Sequence, residues 1–254
     1  MKIGIGLGLT LPRKTPAFVP SQISGLAAWY SATDAATITK DGSGLVSQWN
    51  DKSGNGNHLS QDTALRQPKI SANAINGLPA IQGRHDGTNA TWLLKADNAS
   101  LDWSTMAAFI VGQRVSDLNT IEWMLGKFDG FTPRQEWIAY INSDKCGGQT
   151  YDGSSNYIAL ATPAISPTTG TPFLAELQHD GTTLTARRDG GGDVTAGPVA
   201  AVVNSTAGIT AFARTDNAQP FAGFIGEMLL FSVNPSSADK ALLRTYLKSK
   251  WGIA

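Results

Sequence analysis

The sequence predicts an all-β, two-sheet antiparallel sandwich, preceded by an extended N-terminal arm and closed by one short C-terminal helix. Three observations predict it. Short apolar runs recur between turns rich in Gly, Asn, Asp and Ser. One amphipathic helical stripe stands at the C-terminus. Near the N-terminus, apolar side chains alternate with glycine.

The arm and its linker occupy residues 1–20. Ile3, Ile5, Leu7, Leu9 and Leu11 alternate with Gly4, Gly6, Gly8 and Thr10. In a strand this places branched apolar side chains on one face and almost nothing on the other. A bare glycine face admits another backbone closely. Pro12, Pro16 and Pro20 then interrupt regular structure. Two readings stand: an edge strand of the same domain, or a strand added to a neighbouring subunit. The second is preferred, because the prolines set the segment apart. The apolar run is too short and too glycine-rich for a secretory leader, and no small-residue cleavage site follows closely.

The domain proper spans residues 21–254. Strands are expected at 25–30, 45–49, 107–113, 122–127, 136–142, 172–178, 183–188, 208–213 and 224–232. Asp-Gly pairs at Asp41, Asp129, Asp152, Asp180 and Asp189 mark turns. Many short strands at near-regular spacing indicate a sandwich or barrel. The segment 173–190 is the clearest hairpin, with Asp180-Gly181 at its tip. The helix follows. Ser236 caps it, and Asp239 sits near the positive end of its dipole. Ala238, Leu242, Leu243, Tyr246, Leu247 and Trp251 form the stripe. Lys248 and Lys250 suit the last turn, and Gly252 terminates it.

Composition narrows the function. The chain has 254 residues, 41% of them apolar and 16% charged, with Lys plus Arg equal to Asp plus Glu at 20 each. A neutral chain carries no electrostatic footprint for nucleic acid. It also lacks a basic stretch for an anionic membrane, and no run is apolar enough to span one. The single cysteine, Cys146, permits no internal disulfide.

Three stretches carry a resemblance: GLAAWYSATDAATITKDGSGLVSQWNDKSGNGNHLSQ, then QPKISANAINGLPAIQ, then FAGFIGEMLLFSVNPSSADKALLRTYLKSKWG. Together they resemble the concanavalin A-like lectin/glucanase superfamily in its laminin-G-like jelly-roll branch, over roughly residues 21–252. The resemblance implies a jelly roll of two antiparallel sheets packed face to face. It makes FIGEMLLFS a late strand whose Glu227 resembles an acidic position typical of the family. Such domains occur in bacterial surface proteins and in bacteriophage virion proteins.

Glucanases of this superfamily need carboxylates in an E-x-D-x-x-E pattern on one strand. The glutamates here are Glu122, Glu136, Glu176 and Glu227, and none lies in that pattern. Glu122 and Glu136 fall in successive strands and can face each other. No nucleophile elbow accompanies His58, His85 or His179. Cys146 reads as an inert loop thiol. No enzyme is expected.

For a metal, DKSGNGNHLSQD offers Asp51, Asn55, Asn57 and Asp62 at a spacing that partly mimics a calcium loop. Asx turns account for the same residues without a metal, and that reading is preferred; calcium stays open because lectins of the superfamily often use it. For a sugar, exposed aromatic platforms are sought. Phe128 and Phe131 fall in an expected loop, Trp92 follows a polar loop, and Trp123 and Trp137 belong to strands and so to the core.

The leading expectation is a non-enzymatic virion protein of a tailed bacteriophage, on the capsid or the tail. It would be anchored through its arm to itself and to other virion proteins, and would display a lectin-like domain to host glycans. The alternative is a carbohydrate-binding module of a bacterial surface or secreted protein.

Overall fold

The computed structural model describes residues 18–118, 120–128, 135–143, 145–161, 169–199 and 202–254. The arm residues Ile3, Ile5, Leu7, Leu9 and Leu11, and the loop residue Phe131, lie outside them. The strands in the first half are β1 (Leu26–Ser31), β2 (Ile38–Lys40), β3 (Val46–Trp49), β4 (Leu59–Ser60), β5 (Lys69–Ile75), β6 (Leu78–Gln82), β7 (Leu93–Lys95) and β8 (Met106–Arg114). The second half adds β9 (Ile121–Phe128), β10 (Gln135–Asn142), β11 (Lys145–Tyr151), β12 (Asn156–Ala161), β13 (Pro172–His179), β14 (Leu184–Arg188), β15 (Val194–Ala196), β16 (Ile209–Ala211) and β17 (Gly223–Phe231). The chain closes with α1 (Ser237–Trp251).

Among the described residues these strands form two antiparallel sheets. The first runs β15-β14-β13-β8-β17-β6-β5, with β1 also on β17. The second runs β12-β11-β10-β9-β16-β7-β4-β3-β2. Every expected strand is present, and the expected sandwich with it. The turns explain the hairpins. Asp180 Oδ1 accepts the backbone N–H groups of Thr182 and Thr183, and Asp152 Oδ1 those of Ser154 and Ser155. Each carboxylate thus closes its own turn and turns the chain back on itself.

β17 organises the first sheet. One of its edges pairs with β8; the other pairs with β6 and then with β1. The register slips between Ile225 and Glu227, and Gly226 at this bulge faces the Trp251 ring. A Cβ there would lie 2.4 Å from the ring, so only glycine lets the helix seat this closely.

Alternation along the strands divides the apolar residues into layers. Trp49, Trp137, Phe173, Ile225 and Met228 fill the space between the sheets. Phe109, Leu174, Leu229 and Phe231 face outward from the first sheet and are covered by Leu243, Leu247 and Trp251 of α1. Each such side chain contributes about 1.5–3 kcal/mol on burial. The helix ends as expected. Ser236 Oγ accepts Asp239 N–H at 3.1 Å, and Gly252, left-handed at φ 62°, returns its N–H to Lys248 O. The stripe is narrower than the sequence suggested. Ala238 and Leu242 are exposed, because the helix rests on the sheet along Leu243, Leu247 and Trp251, with Tyr246 half-buried beside them. Cys146 also departs from expectation. It lies in β11 with its thiol in the core, and burial pushes the thiol up to about 12.

Candidate functional site

The four glutamates come first, since paired carboxylates would be the mark of hydrolysis. All four are buried, and each meets a cation. Glu122 pairs with Arg114, and Glu136 with Lys127 at 2.5 Å. Glu176 pairs with Arg244 at 2.7 Å, and Glu227 with Lys250 at 2.7 Å. Glu176 and Glu227 point out of the first sheet and hold α1. Glu122 and Glu136 do not face each other as the sequence allowed. Glu122 lies opposite Ile141, five residues along β10 from Glu136, which is about 17 Å at a strand's rise. A retaining pair needs about 5–5.5 Å and an inverting pair about 6.5–9.5 Å. Lys127 gathers three carboxylates: Glu136, Asp102 at 2.8 Å and Asp97 at 3.1 Å. They hold its ammonium above the ordinary lysine range, despite its burial.

The residues weighed for calcium are turned to other use. Asp51 Oδ1 accepts the N–H groups of Trp29 and Ser53, while Oδ2 accepts Ser53 Oγ–H and Asn57 N–H. Asn55 and Asn57 donate their amides to Ala27 O. Asp62 is exposed beyond β4 and outside this network. The cluster of Asp51, Asn55 and Asn57 therefore stitches the β3–β4 loop to β1. The carboxylate faces N–H and O–H donors where a cation would need bare oxygens. Among the described residues, no group of three or more His, Cys, Asp or Glu side chains is placed to hold a metal ion.

The aromatic candidates do not form one platform. Trp92 is half-buried with the Arg66 guanidinium 4.7 Å over its ring. Phe128 stacks on Trp123 at 5.6 Å and meets Arg214 at 5.1 Å. It lies at the far end of β9, seven residues from Ile121, about 23 Å of extended chain. Trp123 and Trp137 are buried as expected, though Trp123 packs on the outer face of the second sheet, with Ile138 and Tyr140.

A better site opens where the β2–β3, β4–β5, β6–β7 and β16–β17 loops meet. A cleft of about 540 Å³ is lined by Leu45, Leu65, Arg84, His85, Asp86 and Asn89 among others. A second hollow of about 400 Å³ shares His85 and adds Leu118, Thr120, Gln219 and Pro220. The two adjoin at His85 and together are called the groove. Leu65 is 60% exposed and gives it an apolar wall. Arg84 is exposed, yet one guanidinium nitrogen is anchored on Gln67 O at 2.9 Å, which aims the rest. The Asp86 carboxylate accepts N–H groups from Asn89 and Thr88, which hold it down at about 2. It is therefore ionised at neutral pH.

The groove is braced from behind. Asn217 Oδ1 accepts Ala90 N–H at 3.1 Å, and its amide donates to Thr88 O at 3.3 Å. Gly83 N–H donates to Gly223 O at 2.9 Å, and a Cβ on Gly83 would lie 2.5 Å from Phe221 O. Three non-glycine residues of the bracing loop are left-handed: Phe212 at φ 76°, Asn217 at 69° and Gln219 at 54°. Such conformations cost about 1–3 kcal/mol each and gather at sites whose shape matters. The sequence reading passed over this groove. Of its candidates only Trp92 comes near, next to the lining residue Thr91. The turn GRHDG held His85, but nothing in it marked the loops that would meet it.

No protein-family model and no curated protein matches the chain. Solved structures do match in fold. An arabinofuranosidase complexed with arabinofuranosyl-alpha-1,2-xylobiose aligns with a TM-score of 0.61 at 13% identity, over 91% of this chain and 65% of that one. The binding domain of Paraclostridial Mosquitocidal Protein 1 aligns at 0.62 and 10%, over 91% of this chain and 53% of that one. This chain thus spans less than two thirds of both. Domain 4 of an extracellular arabinanase from Geobacillus stearothermophilus, in complex with arabinotriose, aligns at 0.52 and 13%, over 87% of this chain and 98% of that domain. At these identities the likeness establishes the fold, a jelly-roll-like β-sandwich of two antiparallel sheets.

Proposed function

We propose that the protein is a carbohydrate-binding β-sandwich module without catalytic activity, and that its glycan seats in the groove around His85. The groove carries this reading. It combines an apolar wall at Leu65 with an anchored guanidinium at Arg84, an ionised carboxylate at Asp86 and the Asn89 amide. Hydroxyl-rich ligands need such fixed donors and acceptors beside an apolar surface. Two of the matched structures, the arabinofuranosidase and the arabinanase domain, hold arabinose-containing oligosaccharides. The resemblance to lectin-like jelly rolls points the same way. The non-enzymatic reading rests on the glutamates, each buried against a cation and none paired across the groove.

A glycan array followed by calorimetry with arabino-oligosaccharides tests the proposal. Arg84→Ala and Asn89→Ala should each weaken binding about 10-fold or more, as loss of a hydrogen bond in a desolvated site does. Absence of any glycan ligand, or binding indifferent to both substitutions, would overturn it. Release of sugar from aryl arabinofuranosides would overturn the non-enzymatic part.

The sequence also pointed to display on a bacteriophage particle. That reading rests on the arm, outside the described residues, and none of the matched structures reported above is a virion protein. The carbohydrate-binding reading therefore stands first. Co-purification with assembled particles would support the placement on a virion; its absence from them would remove it.

A further inference from the structure

An arginine that its neighbours hold in place, without giving it a counterion, is prepared for an anion. Among the described residues, Arg114 pairs with Glu122, Arg187 with Asp193, Arg188 with Asp189, Arg214 with Asp216 and Arg244 with Glu176. Arg66 and Arg84 are the described arginines with no ion pair, and both stand at the groove. Arg84 lines the cleft. Its Nη2–H donates to Gln67 O at 2.9 Å. Its backbone is tied to Thr91 in both directions: Arg84 N–H donates to Thr91 Oγ1 at 2.8 Å, and Thr91 N–H donates to Arg84 O at 3.0 Å. Nη2 keeps a second hydrogen, so one two-pronged edge of the guanidinium stays open.

Asp86, two residues on, does not fill that edge. Its Oδ1 accepts the N–H groups of Thr88 and Asn89, and its Oδ2 accepts the Asn89 amide at 3.3 Å, so the carboxylate is spent on its own turn. Arg66 lies over Trp92, which follows the lining residue Thr91, and its Nη1 is buried with no partner. Lys69, bridged to the lining residue Leu45, also forms no ion pair. Three cations without counterions thus gather about the one described carboxylate that lines the cleft. We propose, resting on the carbohydrate-binding reading of this groove, that its glycan is acidic, and that a sugar carboxylate docks on the open edge of Arg84 with the sugar ring against Leu65. The two coplanar oxygens of a carboxylate match two parallel N–H groups of a guanidinium, and such charge-assisted bonds are roughly twice as strong as neutral ones. An ammonium, a point charge on a flexible stem, would not give that match. Leu65, 60% exposed, supplies the apolar surface beside it.

Calorimetry on the full chain tests this with oligogalacturonates, oligoglucuronates and sialylated lactose, each beside its methyl ester. Esterification removes the charge and leaves the sugar. At least one acid should bind about 10-fold or more tighter than its ester, and the gap should shrink as salt rises. Arg84→Lys, which keeps the charge without the fork, should close most of the gap. Acids and esters that bind equally would refute the acidic ligand and leave the carbohydrate-binding module standing. A chain that binds no sugar, acidic or neutral, would refute both. Sulfated oligosaccharides that bind more tightly than every carboxylate would refute the carboxylate in favour of a sulfate ester. A gap that survives Arg84→Lys would place the anion away from this fork and refute the proposal.

Discussion

Replacing Glu227 by Gln removes one negative charge and turns one acceptor oxygen into a donor. The carboxylate is fully buried under α1. Oε1 accepts Trp29 Nε1–H at 2.7 Å and Tyr246 O–H at 2.9 Å. Oε2 accepts Lys250 Nζ–H and Trp251 Nε1–H, both at 2.7 Å. A glutamine cannot satisfy all four. With its amide nitrogen on the Trp29 side, the Tyr246 hydroxyl can rotate to accept, but Trp29 Nε1–H is orphaned. With the amide reversed, both Lys250 and Trp251 lose their acceptor. The less costly arrangement loses one buried donor, about 1–3 kcal/mol, and weakens a buried ion pair whose rupture costs about 3–5 kcal/mol. Glu227→Gln should therefore lose about 3–5 kcal/mol in urea unfolding, and roughly 6–20 °C in melting temperature for a chain of this size. Tyr246→Phe, which removes one hydrogen bond to the carboxylate and leaves the ion pair intact, should lose less, about 1.5–3 kcal/mol. The family resemblance made Glu227 an acidic position of note. A catalytic acid is commonly held at a cost to stability, and its amide replacement is then harmless or stabilising. A loss below about 1 kcal/mol for Glu227→Gln would refute the view that this carboxylate is the fastening of the helix.

Two further outcomes follow from the groove and the core. Gly83→Ala should lower the melting temperature and weaken glycan binding together, because its Cβ meets Phe221 O and separates the two loops that shape the groove. His179 is buried with Nε2 unpartnered, and burial lowers its imidazole below the ordinary value of 6.5. The unfolded chain then binds the proton more readily. This contribution to stability is complete above pH about 6.5 and is lost as pH falls toward the folded-state value. Melting temperature should decline from pH 7 to pH 5, and His179→Phe should flatten that decline; an unchanged slope would locate it elsewhere.

The strands legible in the sequence were those with branched or aromatic runs, such as β8, β9, β13 and β17. They read as near-continuous apolar runs because both faces of each are buried, with α1 covering the outer face of the first sheet. β11 escaped notice for a physical reason. Gly147 and Gly148 interrupt its pattern, yet a Cβ on either would lie 2.1 or 2.0 Å from a backbone carbonyl of the adjacent strand. Bare backbone is what this crowded part of the sheet accepts, and propensity reads it as a turn. β5 and β7 escaped because they are short or irregular in register, so few residues carry the pattern. The helix was legible to its caps, since Ser236 and Gly252 act within four residues of themselves. Its polar fastening was not, because Glu176 reaches Arg244 from a strand 68 residues earlier, and Glu227 meets Lys250 only once β17 lies beneath the helix.

The groove was illegible for the same reason, carried further. Leu45, Leu65, His85 and Gln219 stand in four different loops, and each loop alone reads as an ordinary turn. What could have been noticed is composition that fits no local need. The segment ARTDNAQP between β16 and β17 has no glycine, yet it must turn the chain through a short connection. Without glycine, the left-handed conformations there fall on Asn217 and Gln219, and on Phe212 just before. A glycine at 217 or 219 would relieve the backbone. At 217 it would also delete the amide that holds Ala90 and Thr88, and with it the brace of the groove. The strain is thus tolerated where a side chain is needed. This sets the groove apart from the β3–β4 loop, whose own turns at Gly54 and Gly56 are made by glycine and whose polar groups are spent on holding it in place.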